Sequence, residues 1–293
     1  MRQGFHREDV LVDTEWLAER LDDRRLRILD CRYYFDGRDP YAEYLRGHVP
    51  GAIFFDWNAA LSDPDHPIEY MMASPERVAA ELGRRGIGEE HLIVTYDDEG
   101  GHFGARVWLV LTRYGRGHQV RILEGGWTKW LREGRPVSTE ESSFTPTRFT
   151  LEGDVHPELI ASIEDVRRAI ETREAVVLDV RRLSEYTGDE VRARRGGHVP
   201  GAIHRFWQEN LFWDGDRTFR PAAEIRARHE AVGVTPDMPV ITYCQGGVRA
   251  AHAALALLLS GYRNVRVYEG SWAEWGNRDD VPVEVGPPRH AHT

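Results

Sequence analysis

The sequence predicts an α/β protein with two tandem domains, each built as a parallel sheet with helices on both faces. Predicted strands alternate with predicted helices along the chain, which is the pattern of a parallel sheet covered on both sides. The length of 293 residues is long for one domain and comfortable for two. The two halves of the chain also carry the same short motifs in the same order, which indicates an internal repeat.

Four pairs of matching segments define the repeat, and the offset within a pair stays between 145 and 150 residues. One of them is the heptapeptide Gly-His-Val-Pro-Gly-Ala-Ile, which occurs unchanged in both halves. The pairs are 29–32 with 178–181, 47–53 with 197–203, 93–97 with 240–244, and 124–127 with 269–272. Two unrelated domains that shared a few turns would not keep this order and spacing.

Each half is predicted to run through the same elements: a helix, an apolar strand, a turn, a short strand, a helix, a central strand, a long helix and a last strand. The predicted helices are 14–21, 75–83, 162–171, 221–232 and 250–260. The predicted strands are 26–30, 93–96, 119–123, 175–179, 240–243 and 264–268. Ser162 with Asp165 is typical of a helix N-cap, and Gly261 is the stop signal of the last long helix.

The turn in each half contains the sequence Gly-His-Val-Pro-Gly, whose histidines are His48 and His198. Gly and Pro punctuate turns, and a histidine beside them can serve as a local hydrogen-bonding group. We therefore expect a structural role for both histidines rather than a catalytic one.

A polar, proline-punctuated segment separates the halves and is typical of a linker. We delimit a first domain at residues 1–138, a linker at 139–156 and a second domain at 157–293. The tail that begins at Val285 is predicted to be poorly ordered. Its histidines, His290 and His292, could bind a metal only weakly, and we assign no metal site to them.

The composition is ordinary for a soluble globular protein, with 41% hydrophobic and 29% charged residues. The polar N-terminus lacks the apolar stretch of a signal peptide, and no window approaches the roughly 18 apolar residues of a membrane span.

The sequence has only two cysteines, Cys31 and Cys244, which argues against a disulfide framework and fits a reducing cytoplasm. The net charge of −10 argues against nucleic-acid binding but not against a small anionic substrate. We assign no metal, because neither Cys-x-x-Cys nor His-Glu-x-x-His occurs. We further expect a monomer with no cofactor.

The residue with the strongest chemical signal is Cys244, which stands where a buried strand ends and a tight loop leads into a helix. Gly246 and Gly247 let the loop backbone turn so that successive N–H groups point at one spot. The helix start adds partial positive charge there, so the thiol should lose its proton more easily. A structural buried cysteine would need no such loop. We therefore predict Cys244 as the catalytic nucleophile, in a cradle that holds an anion or a second sulfur.

The loop residues Gln245 to Val248 and the following Arg249 are predicted to bind the substrate. A cation at a helix N-terminus is unfavourable, which argues that a bound anion or a carboxylate compensates the charge of Arg249. Arg181 is a further candidate for substrate contact. Its more favoured role is a brace with Asp179, beneath the active loop.

The first half carries Asp97 at the position of Cys244, followed by further acidic residues. Such a loop has no thiol and repels anions, so we expect this half to be catalytically silent. Asp97 as the general base of a separate site is the less favoured alternative. His102 and Phe103 could still line one wall of a cleft that faces Cys244, because ligand sites favour domain interfaces.

At these residues the sequence resembles the rhodanese family of two-domain sulfurtransferases, which have an inactive first half and an active second half. The resemblance covers nearly the whole chain. It rests on the paired His-Val-Pro-Gly-Ala motifs, the six-residue loop that Cys244 opens, and Glu-Gly-Ser-Trp-Ala-Glu-Trp at 269–275. It implies that thiosulfate gives its outer sulfur to Cys244 as a persulfide, and that cyanide or a thiol acceptor then removes it.

The match departs from the family at two places that bear on the sulfur donor. The loop from Gln245 to Arg249 is neither the basic loop of thiosulfate-using members nor the small-residue loop of mercaptopyruvate-using members. Glu185 stands where animal members have a substrate-contacting arginine. Arg249 suits thiosulfate better, and 3-mercaptopyruvate remains the alternative donor.

Phosphatase activity and a role as a persulfide carrier or redox module are the alternatives to sulfur transfer. Phosphatases of the same fold have a loop one residue longer, with room for phosphate, so the four residues between Cys244 and Arg249 disfavour that activity. A persulfide carrier or redox module without turnover would share the same loop and stays open.

Overall fold

The computed structural model describes residues 9–288, so His290 and His292 lie outside the described residues. Two five-stranded sheets form, one in each half, and every strand pair is parallel. Helices cover both faces of each sheet, as predicted. No helix within 9–288 has both the length and the apolar character needed to cross a membrane.

The two sheets have the same strand order, β1-β5-β4-β2-β3 in the first half and β6-β10-β9-β7-β8 in the second. The strands of the first sheet are β1 (Leu11–Val12), β2 (Leu26–Asp30), β3 (Ala52–Phe54), β4 (Leu92–Tyr96) and β5 (Val120–Leu123). The strands of the second are β6 (Ile160–Ala161), β7 (Val176–Asp179), β8 (Ile203–His204), β9 (Val240–Tyr243) and β10 (Val265–Tyr268). The identical order confirms the internal repeat at the level of topology.

The helices follow the same repeat. Those of the first half are α1 (Thr14–Ala18), α2 (Pro40–Arg46), α3 (Trp57–Leu61), α4 (Pro75–Arg84), α5 (His102–Arg113) and α6 (Gly126–Arg132). Those of the second half are α7 (Ile163–Thr172), α8 (Leu183–Thr187), α9 (Ala222–Glu230), α10 (Val248–Leu259) and α11 (Ser271–Trp275). Short 3-10 helices occur at Gly117–Gln119, Pro157–Leu159 and Trp207–Asn210.

Most predicted elements are present, with shifts at their ends that have local causes. Ser162 and Asp165 form the predicted capping box at the start of α7. Helix α1 ends at Ala18, three residues before the predicted end. Helix α10 begins two residues earlier than predicted, because Gly247 takes a left-handed conformation (φ +81°) and starts the helix at Val248.

Parallel register places an aspartate beside a tyrosine at the edge of each sheet where the strands reach their carboxyl ends. Asp30 pairs with Tyr96 in the first sheet, and Asp179 pairs with Tyr243 in the second. The tyrosine hydroxyl donates a hydrogen bond to the aspartate in both cases. The two halves therefore share a buried tyrosine–aspartate hydrogen bond at the carboxyl ends of their central strands.

The segment 139–156 contains neither helix nor strand and packs along the first half. The N–H of Thr147 donates to the carbonyl of Gly83 at 2.9 Å, and Arg113 pairs with Asp154 at 2.8 Å. We propose that this segment is the linker between domains at 1–138 and 157–293.

The two halves pack against each other through α5 and α10, which are buried along most of their length. A buried ion pair crosses this interface: Arg106 of α5 lies 2.7 Å from the carboxylate of Glu269. The same carboxylate accepts a hydrogen bond from the N–H of Met72 at 2.8 Å. Burying two charges requires such close pairing, so this contact fixes how the first half docks on the second.

Candidate active site

Cys244 lies at the carboxyl end of β9, at the entrance to α10, as predicted. Its N–H donates to Oγ of Ser271 at 3.1 Å, and its carbonyl accepts from the N–H of Trp272 at 3.0 Å. The next carbonyl, of Gln245, accepts from the N–H of Ala273 at 2.8 Å. These three bonds attach the cysteine loop to the first turn of α11.

Ser271 adopts a left-handed backbone conformation, with φ +49°. The first half has a glycine, Gly126, at the matching position with φ +52°. A side chain in this region costs roughly 1–2 kcal/mol, which the glycine avoids. The serine hydroxyl offsets this cost by accepting from Cys244 and donating to the carbonyl of Tyr268 at 2.7 Å. Strain at this position is thus tied to holding the cysteine.

The matching loop of the first half shows where such a loop directs its N–H groups. The carboxylate of Asp97 accepts four backbone hydrogen bonds of 2.7 to 3.2 Å. The donors are Glu99, Gly101, Phe103 and Gly104. Burial raises the pKa of Asp97, yet these donors hold the carboxyl in place. A side chain fully engaged in this way has a structural role, which disfavours Asp97 as a general base.

The loop after Cys244 turns in a similar way into its helix. Gly101 precedes α5 with φ +90°, and Gly247 precedes α10 with φ +81°. In the first half a carboxylate occupies the point on which the amides converge. In the second half the side chain at the corresponding position is a thiol. A convergence of loop amides is therefore visible in the first half, and for the Cys244 loop it stays a prediction.

A pocket of about 400 Å³ opens between the two halves at Cys244. From the first half, Phe35, Tyr70, Glu99 and His102 line it. From the second half, its lining is Arg182, Arg192, Phe206, Trp207, Gln208, Cys244, Gln245, Gly246, Val248 and Arg249. The predicted cleft wall is present at His102. Phe103 is instead buried and stacks on Trp57, 5.3 Å between ring centres.

Arg181, named above as a candidate for substrate contact, is buried and does not line this pocket. Its guanidinium bonds to Asp179 at 2.6 to 3.1 Å and to the carbonyl of Gly197 at 2.6 Å. The first half contains the same arrangement, with Arg32 bonded to Asp30 and to the carbonyl of Gly47. A feature present in both halves is not specific to a substrate. The brace with Asp179 is therefore the role that the geometry favours for Arg181, and its contact with a substrate stays a prediction.

Arg249 lines the pocket but does not stand there as a free cation. Its two terminal nitrogens donate to the carboxylate of Glu185 at 2.7 and 2.9 Å. Burial raises the pKa of Glu185, but the hydrogen bonds and charge of Arg249 outweigh it and hold that pKa at about 2. A carboxylate thus compensates the cation at the helix start, which is one of the two possibilities that the sequence left open.

Two further arginines line the pocket, and no sequence motif marks them. The side chains of Arg182 and Arg192 are 53% and 40% exposed, and each has a nitrogen within 3.5 Å of the carboxylate of Glu185. They belong to a stretch without a repeat motif. A second carboxylate, that of Glu190, pairs with Arg182, so three arginines against two glutamates leave one excess positive charge on the second-half wall, which favours an anionic ligand.

Tyr70 of the first half lies directly over the cysteine loop and was not predicted. A Cβ added at Gly246 would stand 2.5 Å from the ring of Tyr70, so only glycine fits at this position. The backbone of Tyr70 is left-handed, with φ +66°, and its carbonyl accepts a hydrogen bond from Arg106. The docking of the two halves thus sets the height of the pocket above the loop.

The two turn histidines have the structural role that was predicted. Nδ1 of His48 lies 2.8 Å from the carbonyl of Tyr44, and Nδ1 of His198 lies 2.8 Å from the carbonyl of Tyr186. Each imidazole stacks on the ring of the same tyrosine. Among residues 9–288, no group of three or more His, Cys, Asp or Glu side chains is placed to hold a metal ion.

Comparison with known proteins agrees with this architecture. The family model described as the rhodanese-like domain matches residues 13–133 and 162–278. The chain therefore belongs to the rhodanese family, with two domains of this type. It is a sulfurtransferase.

Several characterised relatives cover almost the whole chain. The 3-mercaptopyruvate sulfurtransferase of Escherichia coli K12 is 35% identical over 280 residues, which are 93% of this chain and 97% of the relative. The thiosulfate sulfurtransferase of Bos taurus is 35% identical and spans 92% of both chains. The sulfur carrier protein TtuD of Thermus thermophilus is 33% identical, over 97% of this chain and 99% of the relative.

Among solved structures, the anaerobic ergothioneine biosynthesis enzyme from Chlorobium limicola, in complex with trimethyl histidine, has the same fold. Its TM-score is 0.84 at 24% identity, over 97% of this chain and 72% of that chain. An EanB variant in complex with ergothioneine gives a TM-score of 0.83 at 25% identity, over 96% of this chain and 71% of that chain.

Proposed function

We propose that this sulfurtransferase moves the outer sulfur of thiosulfate to a thiol acceptor, or to cyanide, through a persulfide on Cys244. The observation that carries the proposal is the position of this thiol. It lines a pocket between the two halves, together with three arginines of the second half, at the start of a loop that turns into its helix as the Asp97 loop does. A cysteine thiolate beside these arginines is suited to attack a small anionic sulfur donor.

The donor step begins with attack of the Cys244 thiolate on the outer sulfur of thiosulfate. A sulfur–sulfur bond forms at Sγ, and the bond within thiosulfate breaks, so that sulfite leaves with the electron pair. The amides of Gln245 to Val248 stabilise negative charge on the outer sulfur as it is transferred. The acceptor then attacks this outer sulfur, and the thiolate of Cys244 is restored.

The charges of the pocket support thiosulfate as the donor. Arg182 and Arg192 are partly exposed and lie within reach of a dianion that enters the pocket. Arg249 also lines the pocket, but its charge is shared with the carboxylate of Glu185. We therefore assign the first contact with the donor to Arg182 and Arg192, and the positioning of the loop to Arg249.

The experiment that tests the donor compares kcat/KM for thiosulfate and for 3-mercaptopyruvate, with cyanide as the acceptor. We expect thiosulfate to be preferred and mass spectrometry to find one added sulfur on Cys244 after exposure to thiosulfate alone. A strong preference for 3-mercaptopyruvate would overturn the donor assignment. A stable persulfide that no acceptor removes would favour a sulfur carrier, as TtuD is named.

We further propose that the protein works as a monomer in the cytoplasm and does not bind nucleic acid. Both cysteines are free thiols and buried, which suits a reducing compartment. The net charge of −10 disfavours contact with a phosphate backbone. Light scattering of the purified protein tests the oligomeric state.

A further inference from the structure

The first half, which has no thiol at the position of Cys244, contributes a histidine–carboxylate pair to the pocket that contains Cys244. His102, the first residue of α5, and Glu99 both line this pocket. Nδ1 of His102 lies 2.7 Å from the carboxylate of Glu99, so Nδ1 carries the ring proton and donates a hydrogen bond to that oxygen. The hydrogen bond fixes both the tautomer and the orientation of the ring.

The other ring nitrogen, Nε2 of His102, is buried and has no hydrogen-bond partner within residues 9–288. Because Nδ1 holds the proton, Nε2 presents a lone pair. The ring is held between two aromatic rings, with Phe103 at 4.3 Å and Trp207 at 4.6 Å between ring centres. Leaving a buried acceptor unpaired costs free energy, so a rigid, unpaired nitrogen beside a pocket points to a ligand that donates to it.

The pair is not part of the architecture that the two halves share. Gly101 and Gly247 each precede the helix that follows the loop, and the residue after Gly247 is Val248. The second half therefore has an apolar side chain where the first half has His102. A residue required only to start this helix need not be a histidine.

We propose that His102 is the general base that removes the proton of the acceptor thiol. The inference rests on the function proposed above and adds the acceptor half of the reaction. Nε2 takes the proton of the thiol, and the resulting thiolate attacks the outer sulfur of the Cys244 persulfide, which has taken up a proton from water after sulfite left. A new sulfur–sulfur bond forms, the bond to Sγ breaks, and its electron pair stays on Cys244. The acceptor leaves as a persulfide, and His102 releases its proton to water.

The chemistry of thiols gives this base a task. A free thiol with an ordinary pKa of about 8.5 is only a few per cent thiolate at neutral pH. A base that delivers the thiolate at the point of attack can therefore raise the rate by up to roughly 30-fold at pH 7. Glu99 stabilises the imidazolium that forms, as carboxylates do for catalytic histidines.

Several charged and titratable groups surround His102. Asp97 and Asp98 belong to its own loop, where Asp97 is engaged by backbone amides. From the second half, Arg217, Arg249 and Cys244 are near the pair. His252 of α10 faces it as well, but burial lowers the pKa of His252 to about 3. His252 thus stays neutral at working pH, and Nε2 of His102 is the available base.

The test separates the acceptor step from the donor step. Persulfide is first installed on the wild type and on His102→Gln, Glu99→Gln and the exposed control His118→Gln, and is counted by mass spectrometry. Its loss is then timed by quenched flow after mixing with 2-mercaptoethanol, or with sulfite, which above neutral pH has no proton to lose. We expect His102→Gln to slow the thiol reaction at pH 7 by roughly 10- to 30-fold, with the gap closing as the pH passes the pKa of the thiol. Glu99→Gln should give an intermediate loss, and the sulfite reaction should not change.

A loss in His102→Gln that is the same at every pH, or equally large with sulfite, would overturn the proposal and assign a packing role to the ring. An unchanged thiol reaction would overturn it as well. If thiosulfate fails to load the enzyme, polysulfide is used to install the persulfide. That outcome counts against the proposed donor alone, since the acceptor step is still measured.

Discussion

Arg249 and Glu185 form a two-bond ion pair in the pocket wall, with nitrogen–oxygen distances of 2.7 and 2.9 Å. The glutamate side chain is almost fully buried. Removing one member of such a pair leaves the other charge uncompensated, which is costlier than the loss of the pair itself. The effect of any change at Arg249 therefore includes the charge of Glu185.

Arg249→Ala should lower kcat/KM for thiosulfate by roughly 10- to 100-fold, because Glu185 loses its closest cation and then repels the donor, and because the loop loses its ion pair. The double variant Arg249→Ala/Glu185→Gln should recover much of this loss. Steady-state kinetics of both variants and of Arg249→Lys measure the effect. If the double variant is as impaired as the single one, Arg249 contacts the donor directly.

Cys244→Ser should reduce sulfur transfer by at least about 1,000-fold, since the hydroxyl is a far weaker nucleophile at its free pKa. Cys31→Ser should keep nearly full activity. Cys31 is completely buried, and burial with the charges of Asp97 and Asp30 raises its pKa well above the ordinary value. A folded Cys31→Ser protein without activity would contradict this assignment.

The two substitutions Ser271→Ala and Ser271→Gly separate backbone strain from the hydrogen bond to Cys244. Ser271→Ala keeps the strained φ and loses the acceptor, so the free energy of unfolding should fall by about 1–3 kcal/mol. Ser271→Gly relieves the strain, as Gly126 does in the other half, and should regain part of that stability. Both should form the persulfide more slowly. Equal stability of the two variants would show that the strain is negligible.

Much of this site follows from local sequence, and the remainder depends on how the two domains dock. The strand before Cys244 and the glycines after it are adjacent in the chain, so the loop was predictable. Glu185 and Arg249 are 64 positions apart and meet only through the second sheet. Tyr70 meets Gly246 across the interface between the two halves, where Arg106 pairs with Glu269. No periodic sequence pattern marks the contact of Tyr70 with Gly246.

The contact of Tyr70 with Gly246 predicts a paired effect of substitution. Gly246→Ala places a Cβ where the tyrosine ring lies, so it should lower kcat/KM by about 10-fold or more through displacement of the loop. Tyr70→Ala alone should have a smaller effect. The double variant should be more active than Gly246→Ala, because residues in contact do not act additively. If the loss in the double variant equals the sum of the two single losses, the tyrosine lies away from the loop in solution.

The buried histidine of α9, His229, should make stability depend on pH. Its Nδ1 donates to the carbonyl of Ile225 at 2.8 Å, and burial lowers its pKa from 6.5 to about 4. Below pH 6.5 the unfolded chain therefore binds a proton that the folded protein does not, so stability falls as the pH drops from 6.5 to 4. This histidine alone contributes a slope of about 1.4 kcal/mol per pH unit.

Urea unfolding of the wild type and His229→Gln at pH 7.5, 6 and 5 measures this slope. The glutamine can keep the hydrogen bond but cannot titrate, so its destabilisation relative to the wild type should shrink as the pH falls. His118→Gln, at an exposed position, serves as the control. Parallel pH dependence of the wild type and His229→Gln would show that His229 is protonated alike in the folded and unfolded states.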